Sequence, residues 1–295
     1  MPPRYDLIAI DLDGTLLDSR RRVSAANIAA VRAAREAGIQ VVVCTGRGLI
    51  ESMEAVKAID QTDPVVVAGG SIVSCPVTTR TLHRFSLNSA MVERAVERLL
   101  NHRHPVMILK DPVAAEFDYL VVQGSERHPL DPVTLWWFER MGVKVRYVDH
   151  LHADEHPEHS VRLGVCGLSG VMGEIHDDIH EVFGEHANMH HFPAVLEPEH
   201  AAKLPPGQKL HILEVFDRTA SKWSAIQWLA KDTPPARICA IGDEINDVSM
   251  ITGAGLGVAM GNAIPAVRDV AQRHTGTNDE DGVAYAIGRV LDGTW

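Results

Sequence analysis

The stretch Tyr5–Leu17, YDLIAIDLDGTLL, decides how the rest of the chain is read. Leu7 to Ile10 form an uninterrupted apolar run, the pattern of a strand buried on both faces. The run stops at two carboxylates, Asp11 and Asp13, followed at once by Gly14 and Thr15. An ionised carboxylate at the end of a buried strand is costly unless a cation or hydrogen bonds compensate it. In open α/β sheets the carboxyl ends of parallel strands are also where ligands bind. Asp-Gly alone is common turn material, so the reading depends on what the remaining chain sets beside it.

Strand and helix signals alternate outward from this stretch. Ser24 is placed to cap a helix that runs to Ala37, with Gly38 as its stop. Ile39–Val43 reads as a second buried strand, and Thr45-Gly46-Arg47 opens a helix towards Ile59. Pro64–Ala68 reads as a third strand, ending in Gly69-Gly70-Ser71. Strand–helix–strand units of this length imply right-handed crossovers and a parallel sheet. The alternation returns after Ser221, the expected cap of a helix through Leu229. Arg237–Ile241 is then another buried strand, leading into Gly242-Asp243-Glu244-Ile245-Asn246-Asp247. A strand at Gly255–Ala259 and helices over Asn262–Ala271 and from Asp279 to Leu291 complete the pattern.

The middle has a different texture. A helix over Ser89–Leu100 precedes strands at Val106–Leu109, Tyr119–Val122, Val143–Val148 and Val161–Cys166. A helix near Val171–Phe183 and strands at Ala187–Phe192 and Leu210–Phe216 follow. Strands here are less strictly interleaved with helices, as in an α+β domain. The expected organisation is a Rossmann-like α/β core from residues 1–83 and 217–295, interrupted by an α+β insert over 84–216.

Bulk properties narrow the function classes. The chain has 295 residues, so two domains are the default. Its 28 basic and 39 acidic residues leave a formal charge of −11, and no basic run breaks the balance. Nucleic acid and anionic membranes are therefore not expected partners. An anionic small molecule stays open, because a local metal ion outweighs the global field. Cys44, Cys75, Cys166 and Cys239 make no Cys-x-x-Cys pair and read as free thiols in a reducing cytoplasm. The opening MPPRYDLIAI has no basic-then-apolar signal pattern, and no apolar run is long enough to span a bilayer. A cytoplasmic monomer or homodimer is expected.

In a parallel sheet the strand ends share one edge. Asp11 and Asp13, Thr45-Gly46-Arg47, Lys222, and Asp243 with Asn246 and Asp247 would then surround one point. That inventory suits phosphoryl transfer to a carboxylate. A carboxylate attacking a phosphate needs a hard cation such as Mg²⁺ to suppress anion repulsion. A second carboxylic acid protonates the leaving oxygen and later activates water. A hydroxyl and an ammonium hold the non-bridging oxygens.

The order and spacing of these elements resemble the haloacid dehalogenase-like (HAD) hydrolase superfamily, most closely its Cof-type phosphatase branch, which carries a large cap inserted between the second and third motifs. Gly261-Asn262-Ala263 and the tail Thr277-Asn278-Asp279-Glu280-Asp281-Gly282-Val283-Ala284 extend the match. The resemblance implies that Asp11 is the nucleophile that becomes an aspartyl phosphate, and that Asp13 is the general acid and base. It implies phosphate binding by Thr45, Gly46, Lys222 and Asn246. It further implies a Mg²⁺ site drawn from Asp11, the Asp13 carbonyl, Asp243 and Asp247, the last holding a metal-bound water. The implied activity is a Mg²⁺-dependent phosphatase of small phosphorylated metabolites, a sugar phosphate or a phosphorylated cofactor, with a phosphomutase as the alternative. The implied role of the insert is substrate specificity.

Two positions depart from the family's usual pattern. Ala68-Gly69-Gly70-Ser71 stands where an Asn-Gly-Ala-like turn is common, and Trp223 follows Lys222 where a Gly is common, a ring expected to shape the pocket wall. Glu244 reads as loop surface, and Arg47 as salt-bridged or solvent-facing. His150, His152, His156 and His159 match no standard zinc spacing and read as a solvated polar loop, while His190 and His191 are candidates for the insert's substrate face. A phospho-receiver module gathers similar residues on a parallel sheet, but it is much shorter, lacks an insert, and has adjacent acidic residues where this chain has Asp-x-Asp.

Overall fold

The computed structural model describes residues 3–194, 196 and 201–295. In chain order the elements are β1 (Leu7–Asp11), α1 (Ala25–Glu36), β2 (Gln40–Cys44), α2 (Leu49–Ala58), β3 (Val65–Val67), β4 (Ile72–Ser74) and β5 (Thr81–Arg84). Then come α3 (Ser89–Asn101), β6 (Val106–Lys110), α4 (Pro112–Ala115), β7 (Tyr119–Val122), α5 (Pro132–Met141), β8 (Val145–Val148), β9 (Ser160–Leu168), α6 (Ser169–Phe183), β10 (Ala187–Pro193) and β11 (Leu210–Asp217). The C-terminal part adds α7 (Lys222–Leu229), β12 (Ile238–Gly242), α8 (Val248–Gly253), β13 (Leu256–Ala259), α9 (Pro265–Val270), β14 (Arg273–His274) and α10 (Gly282–Leu291).

The chain divides into two compact units, Met1–His83 with Ser221–Trp295, and Arg84–Ala220. The first is an α/β unit on a sheet of order β14-β13-β12-β1-β2-β3-β4-β5. β1 lies between β12 and β2 and pairs with both in parallel. All five of its residues are buried, as an uninterrupted apolar strand inside a two-sided sheet requires. Register does the positioning. Asp11 pairs with Cys44 at the end of β2, and Ile10 pairs with Ile241, one residue before the end of β12. The three loops carrying the acidic and phosphate-binding candidates therefore leave the sheet at one level.

Local signals explain several boundaries. Ser24 accepts the Asn27 N–H at 3.1 Å, and Ser221 accepts the Ser224 N–H at 3.0 Å, capping α1 and α7 as their sequence positions predict. Two helices are shorter than expected. α9 begins only at Pro265, which occupies the first turn behind Ile264. α10 begins at Gly282 because Thr277 and Glu280 close a separate capping turn, and Asp281 adopts a left-handed backbone with φ 56°. The helices α5 and α8 and the short strands β4 and β5 had no clear sequence signal.

The second unit is an α+β sandwich. Its sheet has the order β10-β11-β9-β6-β7-β8, antiparallel throughout except for β7 with β8. α3 and α6 pack on this sheet and on each other, burying Val96, Leu99, Ile108, Leu163, Ile175, Ile179 and Phe183 in one apolar core.

The turn after β3 reverses the chain through Ala68, Gly69 and Gly70, all at positive φ. A methyl group on Gly70 would stand 2.1 Å from the Ser221 carbonyl carbon, so the turn touches the backbone at the start of α7. Gly38 has a similar left-handed backbone, φ 84°, but open space beside it. Gly70→Ala is expected to cost more than the ~1–3 kcal/mol of backbone strain that Gly38→Ala incurs, because it adds a backbone collision. Urea unfolding of the two variants measures the difference.

Candidate active site

Lys222 opens α7 with no solvent exposure, its Nζ donating to Asp11 Oδ1 at 2.5 Å, to Asp247 Oδ1 at 2.6 Å and to Asn246 Oδ1 at 3.3 Å. The helix brings it there because the Ser221 cap fixes the first turn and the 68–70 turn packs on that same backbone. Burial works against the ammonium, but Asp11 and Asp247 outweigh it and hold its pKa above the usual lysine range.

The carboxylates outnumber their cation. Burial, then the negative charge of Asp247, raises the pKa of Asp11 well above the ordinary carboxylate range despite Lys222, and Asp243 adds to the rise. Asp243 is pushed up to about 7 by burial and by Asp247, against a hydrogen bond from Thr15. One oxygen or more from each of Asp11, Asp243 and Asp247 lies within 4.8 Å of the others. Surplus anionic charge on a cluster of hard oxygens is what a Mg²⁺ ion complements, so the donor set fits that cofactor.

Asp247 is fully buried and spans the loop. Its Oδ1 takes the Lys222 proton donor, and its Oδ2 accepts the N–H groups of Asp243 at 2.9 Å and Glu244 at 3.0 Å. This carboxylate holds the lysine and shapes the turn that presents Asp243. Gly242 permits the approach, since a Cβ there would fall 2.5 Å from the Asp247 carboxyl carbon.

Asp13 follows β1 in a tight turn closed by Leu17 N–H on Leu12 O at 2.9 Å. Gly14 sits at φ 76°, and a Cβ on it would collide with Asp243 Oδ2 at 2.3 Å. Arg47 grips the Asp13 carboxylate with two nitrogens, Nε at 2.7 Å and Nη2 closer still. Arg47 is thus salt-bridged, the first of its two expected states. Its partner is the residue expected to move protons. Thr45 is buried, and its Oγ1 accepts the Arg47 N–H at 3.1 Å, leaving the hydroxyl proton free to point elsewhere. Gly46 follows it, and a Cβ there would stand 3.6 Å from Asn246 Nδ2, so these two candidates are neighbours.

Three supporting residues drew no role from sequence reasoning. Thr15 donates to Asp243 Oδ1 at 2.7 Å. Asn262 donates to Gly14 O at 2.8 Å and to Asp243 Oδ2 at 3.3 Å, clamping the loops after β1 and β12 together. Asn278 donates its N–H to Asn262 Oδ1 at 3.0 Å and its side chain to Leu17 O at 2.9 Å. All three lie in quoted motifs, but each has a partner more than 200 residues away, so only folding reveals the contacts. The Trp223 ring packs on the bare backbone of Gly253 in α8, where a Cβ would meet it at 2.3 Å. Glu244 turns its Oε1 back to the Ile245 N–H at 2.8 Å. His190 and His191 lie on β10 in the second unit, His190 tilted against Phe216 and His191 bonded to His211 at 3.0 Å.

The sequence matches the haloacid dehalogenase-like hydrolase family over residues 8–127 and 196–287. It is 32% identical to Phosphatase YwpJ of Bacillus subtilis, over 97% of this chain and 99% of that one. It is 27% identical to the B. subtilis 5-amino-6-(5-phospho-D-ribitylamino)uracil phosphatase YitU, over 94% of each. The fold superposes on the solved structure of a haloacid dehalogenase-like hydrolase from B. subtilis with a TM-score of 0.75 and 26% identity, over 96% of this chain and 99% of that one.

The raised carboxyl pKa values carry a consequence for stability. An acid whose pKa rises from 3.8 to about 7 on folding binds its proton more tightly in the folded state. Its contribution is whole below the unfolded value and is lost as pH rises through the folded one, so metal-free protein should lose stability between about pH 4 and 7. Thermal melts in metal-free buffer across that range are expected to show the fall, and Asp243→Asn to flatten it.

Proposed function

The chain belongs to the haloacid dehalogenase-like hydrolases, in their Cof-type branch, and we propose that it is a Mg²⁺-dependent phosphatase of small phosphorylated metabolites acting through a phosphorylated Asp11. The observation that carries this reading is the buried Lys222 held between Asp11 and Asp247, with Asp243 beside them. Asp11, Asp243 and the Asp13 backbone carbonyl are the oxygens that would hold Mg²⁺, which when bound neutralises the carboxylates and the phosphate dianion.

The chain's own residues divide the remaining work. Asp11 attacks phosphorus with one carboxylate oxygen while Asp13 gives its proton to the departing alkoxide. Asp13, now ionised, takes a proton from the water that cleaves the aspartyl phosphate, which frees inorganic phosphate and restores Asp11. The two-pronged Arg47 grip orients Asp13 for both transfers. Lys222 and the Thr45 hydroxyl, with the Gly46 N–H, bind the non-bridging oxygens as charge spreads over them. Asn246 keeps the lysine aimed. Asp247 acts on the metal's surroundings through the turn it ties together.

The choice of substrate is assigned to the inserted unit. Every candidate phosphate and metal residue lies in the first unit and would be engaged by the phosphoryl group and its charge. Selection among leaving groups then requires other surface. The relative that acts on a phosphoribitylamino-uracil puts sugar-like and cofactor-like phosphate esters first in any substrate panel.

Turnover of an aryl phosphate is expected to vanish in chelator and return with Mg²⁺, with Ca²⁺ a poor substitute because it favours looser coordination. Full activity in chelator overturns the proposal. Asp11→Asn should lower kcat by about 10⁴-fold or more with the fold retained, since the amide is near-isosteric but a poor nucleophile. Acid quench with radiolabelled substrate should place the phosphoryl group on Asp11 in wild type, and label on any other residue rejects the assignment.

A further inference from the structure

Of the 16 histidines, 14 fall between residues 84 and 220, in the unit that contributes none of the phosphate or metal candidates described above. Among the described residues His180, His176, His191 and His211 form a chain of ring contacts with no carboxylate completing a cluster. One group is different. A ring nitrogen of His156, a carboxylate oxygen of Glu158 and a ring nitrogen of His159 all lie within 4.8 Å of one another. His159 Nε2 is 3.1 Å from Glu158 Oε1. Two donors bonded to one ion at about 2.1 Å, at angles between octahedral and tetrahedral, stand roughly 3.0–3.4 Å apart. The His159–Glu158 separation falls in that range, and the His156 nitrogen lies within 4.8 Å of both.

The scaffold is built rather than loose. Pro157 starts a single turn over Pro157–His159, in which His159 N–H bonds His156 O at 3.1 Å. His156 N–H donates to Asp154 Oδ1 at 3.0 Å, and Asp111 N–H donates to His159 O at 2.9 Å. Under the turn lies Lys110, fully buried, with its Nζ on Asp154 Oδ2 at 2.5 Å, Ser160 Oγ at 2.8 Å and His156 O at 3.0 Å. Both ends of the turn are thus anchored to the sheet through β6 and β9. His159 Nδ1 is buried without a hydrogen-bond partner among the described residues, which leaves Nε2 as the nitrogen that meets Glu158.

We propose that His156, Glu158 and His159 form a binding site for a borderline divalent transition ion of the Zn²⁺ class, separate from the all-oxygen Mg²⁺ site of the first unit. Two imidazoles and one carboxylate select zinc-like ions over Mg²⁺, which favours oxygen ligands alone. Three protein donors leave the remaining positions to water. The ion cross-links the turn before β9.

Equilibrium dialysis of the full-length protein against Zn²⁺ in excess Mg²⁺, read by elemental analysis, tests this. Wild type should retain one more zinc ion per chain than His156→Gln/His159→Gln. The exposed Glu158→Gln, which cannot disturb the core, should weaken zinc binding at least tenfold. Turnover of an aryl phosphate with Mg²⁺ should be the same in all three, showing intact folding. His191→Gln/His211→Gln should keep the ion, although those two rings also touch. Equal zinc content in wild type and the His156/His159 variant overturns the proposal, as does loss of the ion in the His191/His211 variant instead.

Discussion

A fully buried ammonium shared by two carboxylates is the constraint around which the first unit is arranged. Lys222 meets Asp11 and Asp247 at hydrogen-bond distance, with Asp243 close enough to be titrated by the same field. Removing any one charge from such a cluster strands the others in a low-dielectric interior, which costs far more than a surface pair contributes. The sheet register, the capped start of α7 and the turn after β12 all serve to keep these groups together. The residual excess of negative charge raises the pKa values of Asp11 and Asp243 and suits a hard cation.

Around that centre, close backbone approach matters as much as hydrogen bonding. Gly14, Gly70 and Gly242 each sit where a single methyl group would strike Asp243, Ser221 or Asp247. Small residues let three loops from distant parts of the chain come within contact distance. Asn262 and Asn278 then fasten the loop after β1 to the C-terminal segment, so the turn that follows Asp11 is held from both sides. Arg47 does the same for Asp13, and its fork geometry fixes an orientation that a point-charge lysine would leave free.

The inserted unit follows different physics. Its stability rests on a sheet with two helices burying one apolar face, and it folds around its own core. Its polar features lie outside the phosphoryl-transfer machinery: the buried Lys110–Asp154 pair, the Arg162–Glu214 pair at 2.6 Å and the many histidines.

Much of this was legible in the linear chain because it depends on short-range pattern. An apolar run ending in Asp-Leu-Asp-Gly-Thr reads as a buried strand that delivers charge to a sheet edge once the other strand ends are set beside it. Ser24 and Ser221 announce their helices because capping is settled within three residues. Elements without a local signature escaped: α8 is a six-residue helix held by its neighbours, and β4 is three residues defined by pairing with β3. By itself the sequence determined the α/β core, the interruption by an α+β insert and the inventory of acids, hydroxyl and lysine. Only the tertiary structure decided that Asp247 holds Lys222 and the loop, that Arg47 grips Asp13, and that Asn262 bridges two loops. Residue type and strand or helix placement follow from local periodicity, whereas the partner of a charge is chosen by which distant backbone the fold brings within about 3 Å.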